Sequence, residues 1–219
     1  MTRNDPFTAA SASDLAQREV PDALRATVRT ELQPELDAIR SETMRDQVVE
    51  AWAVAIAHSS FSCISDLRAS GMWNTDRLVR GTQADHLRGV AAIALQIARV
   101  LKAQFPELPV DEDILVAGAL CHDVGKPYEY DPVKRAARKA QPSKAGWPIF
   151  RHPPYGMHIC LTVGLPEEVA QIALGHSYEG EVLARSPECT IVHYADKSYW
   201  QTLRISGLMI DDFKESDAS

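Results

Sequence analysis

The sequence predicts an all-α fold, and three observations carry that prediction. In segment after segment, apolar residues recur at steps of three and four, the spacing that lines one face of a helix. Prolines followed by an acidic residue, as in Pro21-Asp22, Pro34-Glu35 and Pro166-Glu167, stand where such segments begin, and negative charge suits a helix's first turn. No run of five to eight residues alternates apolar with polar, and no Asn-Gly or Asp-Gly hairpin signal occurs.

Bulk properties narrow the function classes. With 219 residues, 45% of them hydrophobic and 24% charged, the chain can bury the core of one domain with an appendage. A formal charge of −7 argues against a general nucleic-acid or anionic-membrane surface, while leaving room for a local cationic pocket. Cys63, Cys121, Cys160 and Cys189 are widely spaced and form no C-x-x-C pair, which reads as reduced thiols in a cytoplasmic protein. The first residues are polar where a signal peptide needs an apolar core, and no apolar run is long enough to span a bilayer.

Residues 1–13 are small and polar, and are expected to be disordered. Residues 14–80 are expected to form a helical extension on the core. Within it, Ser41-Glu42 opens a long helix whose apolar face runs through Met44, Val48, Ala51, Trp52, Ala55 and Ile56. His58, at its far end, reads as a cap or core residue. Gly71 to Gly81 reads as a connection packed down by Trp73 and Leu78.

Residues 81–205 are expected to form the main domain, and 206–219 a tail. Its first helix, from about Thr82 to Gln104, carries a stripe of Leu87, Val90, Ile93, Ala94, Ile97, Val100 and Leu101, on which His86 also sits. Pro106 and Pro109 end it, and Asp111-Glu112-Asp113 open the next. That helix runs through Ile114-Leu115-Val116-Ala117 to Leu120 and ends in His122-Asp123. Gly125 is expected to break it, and Pro127 to prevent its resumption. Tyr128 to Lys144 is locally basic, with Lys134, Arg135, Arg138, Lys139 and Lys144, a solvated helix face or a cationic rim for an anionic substrate. Pro153 and Pro154 pre-set a helix that starts at His152. Pro166-Glu167-Glu168 starts another that ends at His176, and Pro187 to about Ile205 forms the last, with Asp196 turned toward the core.

Taken singly, His86, His122, Asp123, His152, His176 and Asp196 are each ordinary core or capping residues. Together, at the ends or buried faces of successive helices, they are better explained by a shared sink for their lone pairs. Imidazole and carboxylate without thiolate suit Fe, Mn, Co, Ni or Zn. Six donors exceed what one tetrahedral ion needs, so two divalent transition-metal ions are expected, with a carboxylate shared between them.

The order H…HD…H…H…D on consecutive helices resembles the HD-domain superfamily of metal-dependent phosphohydrolases, over about Thr82 to Trp200. Local contexts match too: the helix after His86, "CHDVGK", "RHPPYGMHI" and "VHYADKSYW". The resemblance implies that His86, His122, Asp123 and Asp196 hold one ion, that His152 and His176 hold the second, and that Asp123 bridges. The GYP motif of the cyclic-dinucleotide branch is absent. The same ligand set also occurs in diiron oxygenases of this fold, so the ligands leave hydrolysis and oxygen chemistry both open, with a non-catalytic ligand-binding module as a third class. On the hydrolase reading, Asp123 is catalytic as the bridge, and Lys126 is a point charge on the phosphate or carboxylate of a small anionic substrate. His158 and His193 are further substrate-contact candidates. The extension is expected to cover the bundle or to mediate a homodimer contact.

Overall fold

A computed structural model describes residues 19–70, 77–140 and 150–210. Its helices are α1 (Asp22–Leu32), α2 (Glu42–Ala57), α3 (Gln83–Gln104), α4 (Glu112–Cys121), α5 (Lys126–Tyr130), α6 (Pro132–Ala140), α7 (His152–Thr162), α8 (Glu167–Gly175) and α9 (Pro187–Ile205). Residues 1–13, Trp73 and Lys144 lie outside the described residues. No helix among the described residues is long and apolar enough to cross a membrane.

Local chemistry sets where the helices begin. Ser41 caps α2 by accepting from the Met44 N–H, and Thr82 and Asp85 form a reciprocal capping box at α3. Asp111 accepts from the N–H groups of Asp113 and Ile114 at α4, and Ser186 accepts from that of Cys189 ahead of Pro187 at α9. The expected apolar face of α2 is buried, with Trp52 wholly so. The stripe on α3 is narrower than its periodicity suggests. Leu87, Val90 and Ala94 are buried, but Val100 is 56% exposed because it lies on the far side of the last turns.

One continuous apolar core runs through both the extension and the main domain. It includes Val28, Leu36, Val48 and Trp52 on one side and Leu87, Leu115, Leu120, Ile159, Ile172 and Val192 on the other. Gly118 allows α4 and α8 to approach closely, since a Cβ there would collide with Ile172. Polar ties reinforce the junction. Asp113 accepts from the backbone N–H groups of Arg40 (3.0 Å) and Ser41 (3.1 Å), and Gln47 Nε2 donates to the Gly164 carbonyl at 2.7 Å.

Two features depart from the sequence reading. A three-stranded antiparallel ribbon joins β1 (Arg68–Ser70), β2 (Arg77–Thr82) and β3 (Met209–Ile210), in the order β1-β2-β3. Arg68 pairs with Thr82 and Leu78 with Met209, so part of the expected connection, and the start of the expected tail, are paired strand. The frame remains helical. The second departure is at the turn after His122-Asp123, where the chain pauses for one turn and then resumes as α5. Pro127 sits in the first turn of α5, where its missing N–H has no helical partner to lose, so it starts this helix rather than preventing it.

Gly125 likewise has an ordinary φ of −81°, so its role is not to break the helix by an unusual conformation. A Cβ at this position would collide with the carbonyl oxygen of His152 and reach 2.8 Å from the Gly156 nitrogen. The glycine lets the turn carrying the His-Asp pair lie directly on α7.

Candidate metal centre

Helix ends deliver most of the cluster. His122 caps α4 and His176 caps α8, both in helical conformation, and each donates its Nδ1–H to the carbonyl three residues back, Ala119 at 2.7 Å and Ala173 at 3.0 Å. The remaining nitrogen, Nε2, is thereby left with its lone pair toward the interior. His152 opens α7 and donates Nδ1–H to Glu129 Oε2 at 2.6 Å, while its backbone N–H donates to the same oxygen at 2.6 Å. His86 comes from the first turn of α3 and Asp196 from the middle of α9.

These six side chains converge. His86 Nε2 lies 3.2 Å from His122 Nε2, 3.4 Å from Asp123 Oδ2 and 3.3 Å from Asp196 Oδ1. His122 Nε2 is 3.2 Å from Asp123 Oδ2. The other carboxylate oxygen, Asp123 Oδ1, is 3.2 Å from His152 Nε2 and 3.7 Å from His176 Nε2. Asp123 thus faces one pair of imidazoles with each oxygen. Two three-residue groups that could hold a metal ion, His86–His122–Asp123 and Asp123–His152–His176, share this residue. A third, His122–His176–Asp196, joins them across the same centre.

The arrangement fits divalent cations on its own chemistry. His122 turns a bare Nε2 inward, and His86 Nε2, Asp123 Oδ2 and Asp196 Oδ1 crowd round the same point, an assembly of donor atoms that a cation would satisfy together. Asp196 Oδ1 is buried without a hydrogen-bond donor. Burial pushes the Asp196 carboxyl up, but His86, His122 and His176 outweigh it and hold it at about 2. Burial pushes the His176 imidazole down to about 3, aided by the neighbouring His122, so its nitrogen is a free donor at neutral pH. Burial also opposes protonation of His122, yet Asp123 and Asp196 raise it above the ordinary imidazole value. Anionic oxygens and bare nitrogens drawing in positive charge make a cation site, and their N/O character suits a transition metal.

A cavity of about 330 Å³ opens onto this cluster. Asp123, His152, His176 and Asp196 border it, with His193 and Trp200 on its walls and Tyr178, Glu181 and Lys197 near the mouth. His193 is buried, and its Nδ1–H donates to the His176 carbonyl at 2.5 Å. His158 is only half-buried, beside Tyr155, and is not among the cavity-lining residues.

Lys126 also borders the cavity, and its ammonium has protein partners. It lies 2.6 Å from Asp123 Oδ2, 2.9 Å from the Ser70 carbonyl and 3.4 Å from Gln83 Oε1. Of the residues expected to form a cationic rim, the described ones (Lys134, Arg135, Arg138 and Lys139) are not among those lining the cavity. Lys134 donates to the carbonyl of His58, the residue that caps α2, and buried Arg138 donates to the carbonyls of Glu129 and Tyr128 in the last turn of α5, so both cations serve backbone oxygens at helix ends that lack intrahelical partners.

The sequence reading missed Glu129, Gln83, Ser70 and Trp200. Glu129 sits in a polar stretch that reads as solvated, and it carried no signal. Trp200 had one: it lies four residues after Asp196 and shares its helix face.

A helical frame bearing a shared-carboxylate cluster of four imidazoles and two carboxylates defines a metalloprotein with a two-ion site. The HD domain family model matches residues 84–199, and the chain belongs to that family. It is also similar to a dihydroneopterin 2',3'-cyclic phosphate phosphodiesterase from Methanocaldococcus jannaschii, at 29% identity over 175 residues. That match covers 74% of this chain and 65% of the relative, so the chain spans somewhat less than two thirds of that protein's length. No solved structure matches.

Proposed function

We propose that this chain is a metal-dependent phosphohydrolase that cleaves a phosphodiester in a small anionic molecule. The observation that carries the reading is the divided Asp123 carboxylate, with one oxygen toward His86 and His122 and the other toward His152 and His176. On this reading His86, His122, Asp123 and Asp196 hold one divalent ion. His152 and His176 hold the second, with Asp123 between the two. Such a pair, when bound, supplies Lewis acidity toward phosphoryl oxygens and water acidic enough to attack near neutral pH.

The protein's own groups do the rest. Backbone-anchored imidazoles and the Glu129–His152 bond hold the donors in place, so little reorganisation is needed when a cation binds. The cavity is at the small end of ligand-pocket sizes, enough for a phosphate joined to a ring or sugar. Trp200 and Tyr178 offer aromatic surfaces to a planar group, and Lys197 a charge to the phosphate. The relative's substrate, a cyclic phosphate on a dihydroneopterin, belongs to that class and supports the choice.

The test is reconstitution in an anaerobic chamber. Metal-stripped protein reloaded with Mn(II), Co(II) or Zn(II) should hydrolyse a 2',3'-cyclic phosphate without oxygen. Activity confined to iron and O₂, with a mixed-valent iron signal in spin resonance, would replace the hydrolase reading with the oxygenase one.

A further inference from the structure

We propose that Lys126 is a fixed counter-charge built into the metal centre: it stabilises the Asp123 carboxylate and lowers the centre's affinity for divalent ions. The inference rests on the two-ion reading of this site and assigns the lysine a different task from substrate binding.

Four observations carry it. Lys126 is 2% exposed, so its charge is removed from water and must be compensated by the protein. An ammonium has three hydrogens, and three acceptors surround this one: Asp123 Oδ2, the Ser70 carbonyl and Gln83 Oε1. Gln83, itself fully buried, closes the arrangement by donating Nε2 to the same Asp123 oxygen at 2.8 Å. That oxygen is also the one facing His86 and His122, so the lysine's charge stands beside one half of the cluster and not the other.

Two consequences have opposite signs, and this makes the idea testable. Asp123 and Asp196 both flank His86, so their negative charges repel across the centre. A buried ammonium on Asp123 offsets that repulsion whether or not an ion is present. The same ammonium repels an incoming divalent ion that would use Asp123 Oδ2. Removing it should therefore destabilise the metal-free protein yet tighten metal binding. The ribbon takes part through the Ser70 main chain, since a backbone carbonyl at the end of β1 is one of the three acceptors.

Lys126→Met keeps the side chain's length and removes its charge. In metal-free protein it should lower Tm, and in chelator competition with Mn(II) or Zn(II) it should bind at least about tenfold tighter than wild type. The rise in Tm on adding metal should be correspondingly larger. Lys126→Arg, which restores the charge, should return metal affinity toward wild type. A residue that only packs would lower Tm with and without metal alike, and a substrate contact would move neither Tm nor metal affinity; either result overturns the proposal. If Lys126→Met accumulates no folded protein, Asp123→Asn/Lys126→Met decides, because neutralising the carboxylate rescues folding only if the lysine's task is to balance its charge. Wild-type protein that binds no divalent ion would overturn the two-ion reading as well. Wild type that binds, with Lys126→Met unchanged, overturns this inference alone.

Discussion

The indole N–H of Trp52 donates to the carbonyl of Leu120 at 2.8 Å, in a fully buried contact. Leu120 lies in the last turn of α4, two residues before His122, where helix carbonyls lack intrahelical partners. Trp52 belongs to α2, outside the residues matched by the family model. A side chain from the extension therefore completes the helix end that carries the His-Asp pair. Trp52→Phe should leave this carbonyl unpaired in the core, at a cost of about 1–3 kcal/mol. Thermal unfolding should show a drop of roughly 2–4 °C for each kcal/mol, and metal affinity should fall with it. An unchanged Tm would mean the carbonyl finds another donor.

Glu129 is the only acidic partner among the described residues for the outer nitrogen of His152, and its carboxylate also receives that residue's backbone N–H. Burial raises the Glu129 carboxyl, but its contacts with His152 outweigh this and hold it below the usual range. Glu129→Gln should weaken metal binding about 10- to 100-fold while leaving the fold intact. Chelator competition measures the loss. The site built on His152 and His176 should empty first.

Gly118 faces Ile172 across the α4–α8 contact. Gly118→Ala should destabilise the protein by about 1–3 kcal/mol through overpacking. Adding Ile172→Val removes the methyl that the new Cβ meets first, and should recover part of the loss in chemical denaturation. If the double variant is no more stable than Gly118→Ala, the helices separate for another reason.

Asp113 is held below the ordinary carboxylate range. Burial works in the opposite direction, and the Arg40 N–H, the Arg40 guanidinium and the Ser41 N–H outweigh it. Its stabilisation is complete above the unfolded-state value near ~4 and is lost as pH falls through the lower folded value. Asp113→Asn should lower stability near neutral pH by about 1 kcal/mol, since Arg40 is mostly solvated. It should also flatten the acid side of the Tm–pH curve. Parallel curves for variant and wild type would rule out this linkage.

The helical frame and the metal cluster were legible because their signals are local and repeated. Trp52, Leu87 and Leu115 lie on apolar faces that periodicity reveals, and each proposed ligand sits at a helix end or on such a face. The ribbon was not legible: β1 and β3 have only three and two residues, β2 has six but sets Leu78 beside Val79 and so does not alternate, and β2 pairs with β3 across more than half of the chain. Lys126 was found, but its protein partners were not. Its position after Asp123 is visible in the sequence, whereas its contact with Ser70, 56 positions earlier, exists only once the chain is folded. Glu129 was missed for the same reason, since the residue that gives it meaning, His152, is 23 positions away.

The two histidines that end α4 and α8 are oriented by the same local device, an imidazole bonded to the carbonyl three residues before it. The acceptors are main-chain oxygens of Ala119 and Ala173, which no substitution at those positions deletes. Ligand orientation at these two points is thus insulated from sequence drift in the helices behind them. A lineage could exchange much of its core and still aim both nitrogens at the same place, so long as the number of residues between each packed helix face and its histidine stayed the same. The converse also holds. Lengthening either helix by a single residue would rotate its imidazole by about 100° and dismantle the centre without touching any ligand.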